Sequence, residues 1–442
     1  MPGVAVYESA FAELEPALKS GGPSWLHDLR REGLSTFKTL GFPTLKEEEW
    51  RFTRTRPIAE IDFRPAGQAR AIDVATLVAH TFDDAGCHRL VVVNGRFSPT
   101  LSLNRDLPRG VWAGSLADAL RERGDRIRDV LASGARADKQ RFASLNTAFL
   151  NDGVYIETAD GVTLDRPIHI VHVTDASHAP AMTHPRVVVI AGKNSNAVVV
   201  ESFIGLGEGS YFTNAVAQFV VGENANVRHY KNQRESAESF HVAFQHASLA
   251  RNARFATLSV TMGASLVRND VHTILDGEGI DARVDGLYLA DGRRHVDNHT
   301  YIRHAQPHCH SFELYKGILD DKARGVFNGR IYVDPVAQKT DAKQENNCML
   351  LSDEARINSN PQLEIFADDV KCTHGAAIGK TDDTAIFYLR SRGVPFQEAR
   401  DLMVYAFASE VLERIEIEPL KVRLENDLFE WLMSSRKARV GA

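Results

Sequence analysis

Cys372 and His374 stand two residues apart towards the C-terminal end of the chain, within Asp368-Asp-Val-Lys-Cys-Thr-His-Gly-Ala-Ala-Ile-Gly-Lys-Thr381. The stretch joins a β-like run, Gln362 to Ile365 and then Val370, to a helix predicted from near Asp382. In an extended segment, side chains at i and i+2 lie on one face about 6.5 to 7 Å apart. A thiol and an imidazole so placed make half of a metal site. The plainer account is packing, since free Cys is among the most buried residue types. The same residues nearly spell a phosphate-binding loop, but Gly375 and Gly379 enclose one residue fewer than a P-loop requires. The missing glycine would fall on His374, whose side chain would obstruct the amides that cradle phosphate, so ATP binding here is disfavoured.

A second group of metal-ligand types is His295, His299, His304, His308 and His310, with Cys309 among them. Imidazole is the commonest metal ligand, yet these spacings match no helical zinc pair and Pro307 interrupts any helix. The plainer account leaves them hydrogen-bonded or solvated on strands and loops. The four cysteines, Cys87, Cys309, Cys348 and Cys372, form no C-x-x-C pair. That argues against a disulfide framework and against a self-contained all-cysteine site, so any cluster must borrow ligands.

The 442 residues carry 52 Lys and Arg against 58 Asp and Glu, a balance that suits neither nucleic acid nor an anionic membrane. No uninterrupted apolar run reaches the roughly 18 residues that span a bilayer. Glu8, Glu13 and Glu15 interrupt the first apolar pattern, which is unlike a signal peptide, and a cytoplasmic protein is expected.

Three parts are expected to position these residues. Residues 1–152 read as mostly helical, with amphipathic helices over Val6 to Leu18 and Trp25 to Leu40 and further helix over Ser115 to Arg123 and Asp138 to Leu150. Asn94-Gly95 marks a tight hairpin, and Lys46 to Thr53, around Trp50, reads as a surface turn or docking strip. Residues 153–381 break into strand-length runs such as Ile168 to Val173, Arg186 to Ile190, Ala215 to Val221, Leu258 to Met262 and Val326 to Val333. Turn signals recur at Asn224-Ala-Asn-Val227, Asn252-Ala-Arg-Phe255, Asp281-Ala-Arg-Val284 and Glu354-Ala-Arg-Ile357, with Gly192 to Ala197 in the same frame upstream. A loose period without helices between marks a β-solenoid, and an all-β sandwich is the alternative. Residues 382–442 read as helices, the one opened by Pro395 placing Phe396, Ala399, Leu402, Met403, Ala406, Phe407 and Leu412 on its apolar side and the last carrying Leu420, Leu424, Leu428, Trp431 and Leu432.

With these parts in view, the sequence resembles the SufB/SufD family of the SUF iron–sulfur cluster assembly system. The resemblance rests on His308-Cys-His-Ser311, Leu314-Tyr-Lys-Gly317, Val326-Phe-Asn-Gly-Arg-Ile331, Gln338-Lys-Thr-Asp341, Pro361-Gln-Leu-Glu-Ile365, Ala367 to Ala376 and Ile386 to Gly393, with Glu47 to Thr53 as a further strip. It sides with the SufD branch, because SufB typically has a Glu-Ala-x-x-Ser-Lys segment at Cys372 to Ala377 and Gly-Phe at Ala406-Phe407. Thr373 and Ala377 depart from the Ser and Thr usual in the branch.

The resemblance implies a mainly β protein, a right-handed parallel β-helix with helical domains at both ends, acting as a non-enzymatic scaffold. It implies a complex with SufB, paired through the β-helix, and with two copies of the ATPase SufC, docked on the C-terminal helical domain; a homodimer forms in isolation. A transient iron–sulfur cluster would be shared with the partner, with Cys372 and His374 as this chain's metal-binding residues and His374 either a ligand or a proton acceptor for a thiol. A flavin belongs to the family's complex at no assignable position. Two other classes stay open: a homodimeric metal-binding protein, and a β-helix carbohydrate-active enzyme using Glu364, Asp368 and Asp369.

Overall fold

The computed structural model describes residues 3–104, 106–136, 140–177 and 180–440. From Asn196 onward the chain lays down strands alternately in two parallel sheets. One sheet takes Asn196–Leu206, Asn226–Arg234, Arg254–Thr261, Asp281–Ala290, His310–Leu319, Asp341–Leu350 and Lys371–Gly379. The other takes Tyr211–Val221, Phe240–Leu249, Leu266–Leu275, His295–His304, Arg324–Val333 and Arg356–Ile365. Each coil thus contributes one strand to each sheet, and about seven coils stack into a parallel β-solenoid. Within the first sheet Asn226 lies beside Arg254, Arg254 beside Asp281, Asp281 beside His310, His310 beside Asp341 and Asp341 beside Lys371.

The turn that enters the first sheet shows why this sequence coils. Asn194, Asn224, Asn252, Gly279, His308 and Lys339 all adopt positive φ. Asn tolerates that conformation better than other side chains, and Gly adopts it freely. The amides of Asn194, Asn224, Asn252, His308 and Lys339 donate to the carbonyls of Glu223, Arg251, Glu278, Gln338 and Asp369 in the coil above. Asn252 also donates to Asn224 Oδ1, and Asn224 to Asn194 Oδ1, each at 3.1 Å. The residue after each turn is buried: Ser195, Ala225, Ala253, Ile280, Cys309 and Thr340. Two of the turn signals expected in one series belong elsewhere. Asp281 falls opposite Arg254, two residues past its turn, and Glu354 precedes the strand Arg356–Ile365 of the opposite sheet.

Both outer faces of the solenoid are covered. The helix Arg141–Ala148 is sandwiched between the helix Ser24–Leu40 and the second sheet, where Gly33 meets Ser144 too closely for a Cβ. Buried Arg186 fixes that helix by donating to Asn146 Oδ1, Thr147 Oγ1 and Gln218 Oε1. Of the helix expected over Asp138 to Leu150, residues 138 and 139 lie outside the described residues. The hairpin at Asn94-Gly95 forms as expected, with positive φ at both residues, and its strand His88–Val93 pairs with Ile168–Asp175. Trp50 is buried, its ring 4.2 Å from the Arg268 guanidinium.

The helices Phe396–Leu412 and Glu418–Val440 cover the first sheet through Val404, Ala408, Val411, Leu412, Leu420, Leu424 and Leu428. The expected apolar side of the first of these is corrected here in part. Ala399 and Leu412 are buried as expected and Phe407 packs partly, joined by Val404, Ala408 and Val411, while Phe396 and Leu402 are exposed.

An Asn252→Val variant is expected to lose about 1 to 2 kcal/mol through its left-handed turn, with Asn252→Gly close to wild type. Urea unfolding of both variants checks this; equal stability would contradict the role of the turn.

Candidate functional site

The last strand, Lys371–Gly379, holds both Cys372 and His374. Among the described residues it pairs on one side only, with Asp341–Leu350, and the strand Arg356–Ile365 is likewise terminal in its sheet. The solenoid therefore ends on two open edges. In register, Cys372 lies beside Ala342 and His374 beside Gln344, both fully buried residues of the lumen. The two side chains thus share the lumen side of the final coil, as i and i+2 spacing on a strand requires. Cys372 is half-buried against Ala342, Ile331, Val333, Leu363 and Val370, and His374 is exposed. Burial pushes the Cys372 thiol up, and the carboxylate of Asp341 adds to the effect. The protein alone holds this sulfur as a thiol, which a metal or a cationic partner would have to ionise.

The remaining cysteines are of another kind. Cys309 is the buried residue of a turn, its Sγ 3.1 Å from the Gly277 carbonyl. Cys348 lies in the lumen, 3.3 Å from the Tyr288 hydroxyl, and burial pushes its thiol up to about 11. Burial likewise pushes Cys87 up to about 12.

The five histidines of the second candidate group separate. His295 Nε2 lies 2.7 Å from Thr53 Oγ1, and His299 lies between Asp297 and Glu49 on the outer face. His304 turns into the lumen against Ser311, and His308 and His310 flank the Cys309 turn in the open. Among the described residues, no three His, Cys, Asp or Glu side chains are grouped to hold a metal. The stretch that nearly spells a phosphate loop is strand through Gly379, with open space around Gly375 and Gly379. Glu364 pairs with Arg330 and Asp369 with Lys339, and among the described residues Glu364, Asp368 and Asp369 form no group that could hold a metal.

Sequence reading missed the polar lumen. Burial alone would push Glu201 up, but hydrogen bonds from His172 at 2.8 Å and His229 at 3.0 Å hold it well below the usual range. Burial lowers Lys231 to about 8, its Nζ lying between His241 Nε2 and Asn269 Oδ1. One column of in-register residues runs His229, Thr257, Val284, Glu313, Gln344 and His374. Its last three members are polar, and aligning the coils by their turns would have found them. Burial pushes the Glu313 carboxyl up to about 7, and Gln344 Nε2 donates to it at 2.7 Å.

Comparison with known families bears on this geometry. A family described as SufBD protein N-terminal region matches residues 3–170, and one described as SUF system FeS cluster assembly, SufBD core domain, matches residues 172–407. The chain belongs to the SufBD family. It is an iron–sulfur cluster assembly protein with a scaffold role in the SUF system. A SufBD family protein of Synechocystis is 34% identical over 93% of this chain and 92% of its own length. The iron–sulfur cluster assembly protein SufD of Escherichia coli is 33% identical over 90% and 93%, and that of Bacillus subtilis 26% over 95% of each. No helix among the described residues is long and apolar enough to cross a membrane.

The four thiols of this SufBD protein should differ in reactivity. Iodoacetamide is expected to label Cys372 first, with an apparent pKa above that of a free thiol, while Cys87, Cys309 and Cys348 react only on unfolding. Peptide mapping against pH checks this, and preferential labelling of Cys348 would contradict it. Glu313 gives a pH prediction. Its folded pKa of about 7 exceeds its ordinary 4.5, so the native state holds the proton more tightly. Stability from this group is fully present below about pH 4.5 and is lost as pH rises through about 7. Glu313→Gln should therefore gain on wild type between those limits by about 3 kcal/mol. Denaturant unfolding at low and high pH should show the gap widen; a constant gap would contradict the assignment.

Proposed function

We propose that this chain occupies the SufD position of a SUF complex, as a non-enzymatic subunit that supplies part of the coordination sphere for a nascent iron–sulfur cluster. The cluster is cargo, held with a partner and then passed on. The observation that carries this reading is the coincidence of Cys372 and His374 with the open end of both sheets. An iron–sulfur cluster takes about four protein ligands, mostly thiolates, with imidazole possible. A thiol and an imidazole on a free edge suit such a cluster completed from across a junction.

The partner read for that edge is SufB, a second solenoid whose strands would extend both sheets. The edge favours such addition: Gly375, Ala376, Ala377 and Gly379 offer little bulk, and the strand's one charged residue is Lys371. SufC is read onto the C-terminal helices, where Phe387, Tyr388, Phe396 and Leu402 are exposed. Only Lys380 to Asp382 separate the Cys372 strand from the helix Asp383–Ser391 that bears Phe387 and Tyr388. An ATPase that prefers one arrangement of the helices when nucleotide is bound would then move the strand and alter the shared site. The four free thiols suit a reducing compartment, the cytoplasm.

Co-expression with SufB and SufC tests the proposal. Cys372→Ala and His374→Ala complexes should form normally but carry several-fold less iron and sulfide than wild type. A double variant with unchanged iron and sulfide would end the reading. Clusters recovered from this chain expressed alone, lost in the same variants, would favour a second copy of the chain as the partner.

A further inference from the structure

His374 has a buried amide beside it in register. Gln344 stands beside it in register, fully buried, with its amide nitrogen committed to Glu313 Oε2 at 2.7 Å. That bond commits the nitrogen to the coil below and leaves the amide oxygen over, and His374 is the in-register residue of the coil above. Among the described residues Gln344 Oε1 has no hydrogen-bond partner, an uncommon and costly state for a buried acceptor. The brace behind it is equally enclosed, for Glu313 is fully buried and Thr300 faces it from the opposite wall. Gly329 makes room for the amide: a Cβ at 329 would come within 2.3 Å of Gln344 Nε2. Glu313, Gln344 and Gly329 thus hold one amide in one orientation next to one imidazole.

We propose that Gln344 is a positioning residue for His374, its oxygen accepting one imidazole N–H so that the other ring nitrogen presents its lone pair to iron. The idea rests on the cluster reading given above. It follows the general chemistry of metal-bound imidazole, whose second nitrogen is held by a carbonyl or carboxylate that fixes tautomer and ring orientation. Glu313 acts one step further back, by deciding which end of the amide faces the ring. Gln344 touches no cargo in this account.

The test reads the ring directly. The full-length chain, labelled with nitrogen-15 histidine, is examined by NMR at about pH 8, with His374 assigned by its loss in His374→Ala. In wild type the His374 ring should show a single tautomer. In Gln344→Leu, and in Gly329→Ala, which crowds the amide without removing it, the ring should relax to the mixture of a free imidazole. In the co-expressed complex, Gln344→Leu should retain about tenfold less iron while still binding its partners. A wild-type ring that already shows the free-imidazole mixture overturns the proposal, as does Gln344→Leu with an unaltered ring signature and full iron. The two readings fail separately. Full iron in His374→Ala sinks the cluster site itself, whereas iron lost in His374→Ala but kept in Gln344→Leu sinks only the role of Gln344.

Discussion

In-register parallel pairing between successive coils is the constraint on which the rest depends. Each strand's amides and carbonyls are answered by the coil above and the coil below, and a shift of one residue would turn every lumen side chain outward. The left-handed turns at Asn194, Asn224, Asn252, Gly279, His308 and Lys339 set that register by starting each strand at the same height. The pairing ends at Lys371–Gly379 and Arg356–Ile365, and there the chain leaves both backbone groups and ligand-type side chains unanswered. The candidate site is therefore a product of termination.

The lumen adds specificity at some cost. Glu201, His229, Lys231, Asn269, Glu313 and Gln344 are all buried, and each takes at least one partner from a neighbouring coil. Such networks penalise any alternative stacking that leaves a member unpaired. They also carry the orientation of one coil into the next, as the amide of Gln344 shows.

Much of this was legible beforehand, and the reasons for the remainder are physical. The repeated Asn turns disclosed the solenoid because a left-handed conformation leaves a residue signature. The Cys372 and His374 pairing was legible because strand geometry has a period of two. The strand Leu266–Leu275 escaped notice, since a strand buried on both faces with Arg268, Asn269 and Asp270 at its centre shows no apolar alternation. Asp281 was placed one pleat out of step because its turn uses Gly279, which gives no Asn to count from. The helix at Phe396 was legible only in part: Ala399 and Leu412 are buried, but Phe396 and Leu402 are exposed, because apolarity alone does not say which large residues face the sheet.

The strip around Trp50 gives the stack an asymmetry. Thr53 hydrogen-bonds Asp297, Trp50 lies against Arg268, whose guanidinium also reaches the Glu49 carbonyl, and Glu49 pairs with Arg330. Three successive strands of one sheet are thereby buckled together from outside. The buckle stops one strand short of Arg356–Ile365, so the outermost coil depends on a single stacked neighbour. In a linear array, such a unit is the first to peel away. The thiol and imidazole thus ride on the layer with the fewest stacked neighbours, and on the reading proposed above a partner seated there would complete the solenoid's order and the coordination sphere in one step.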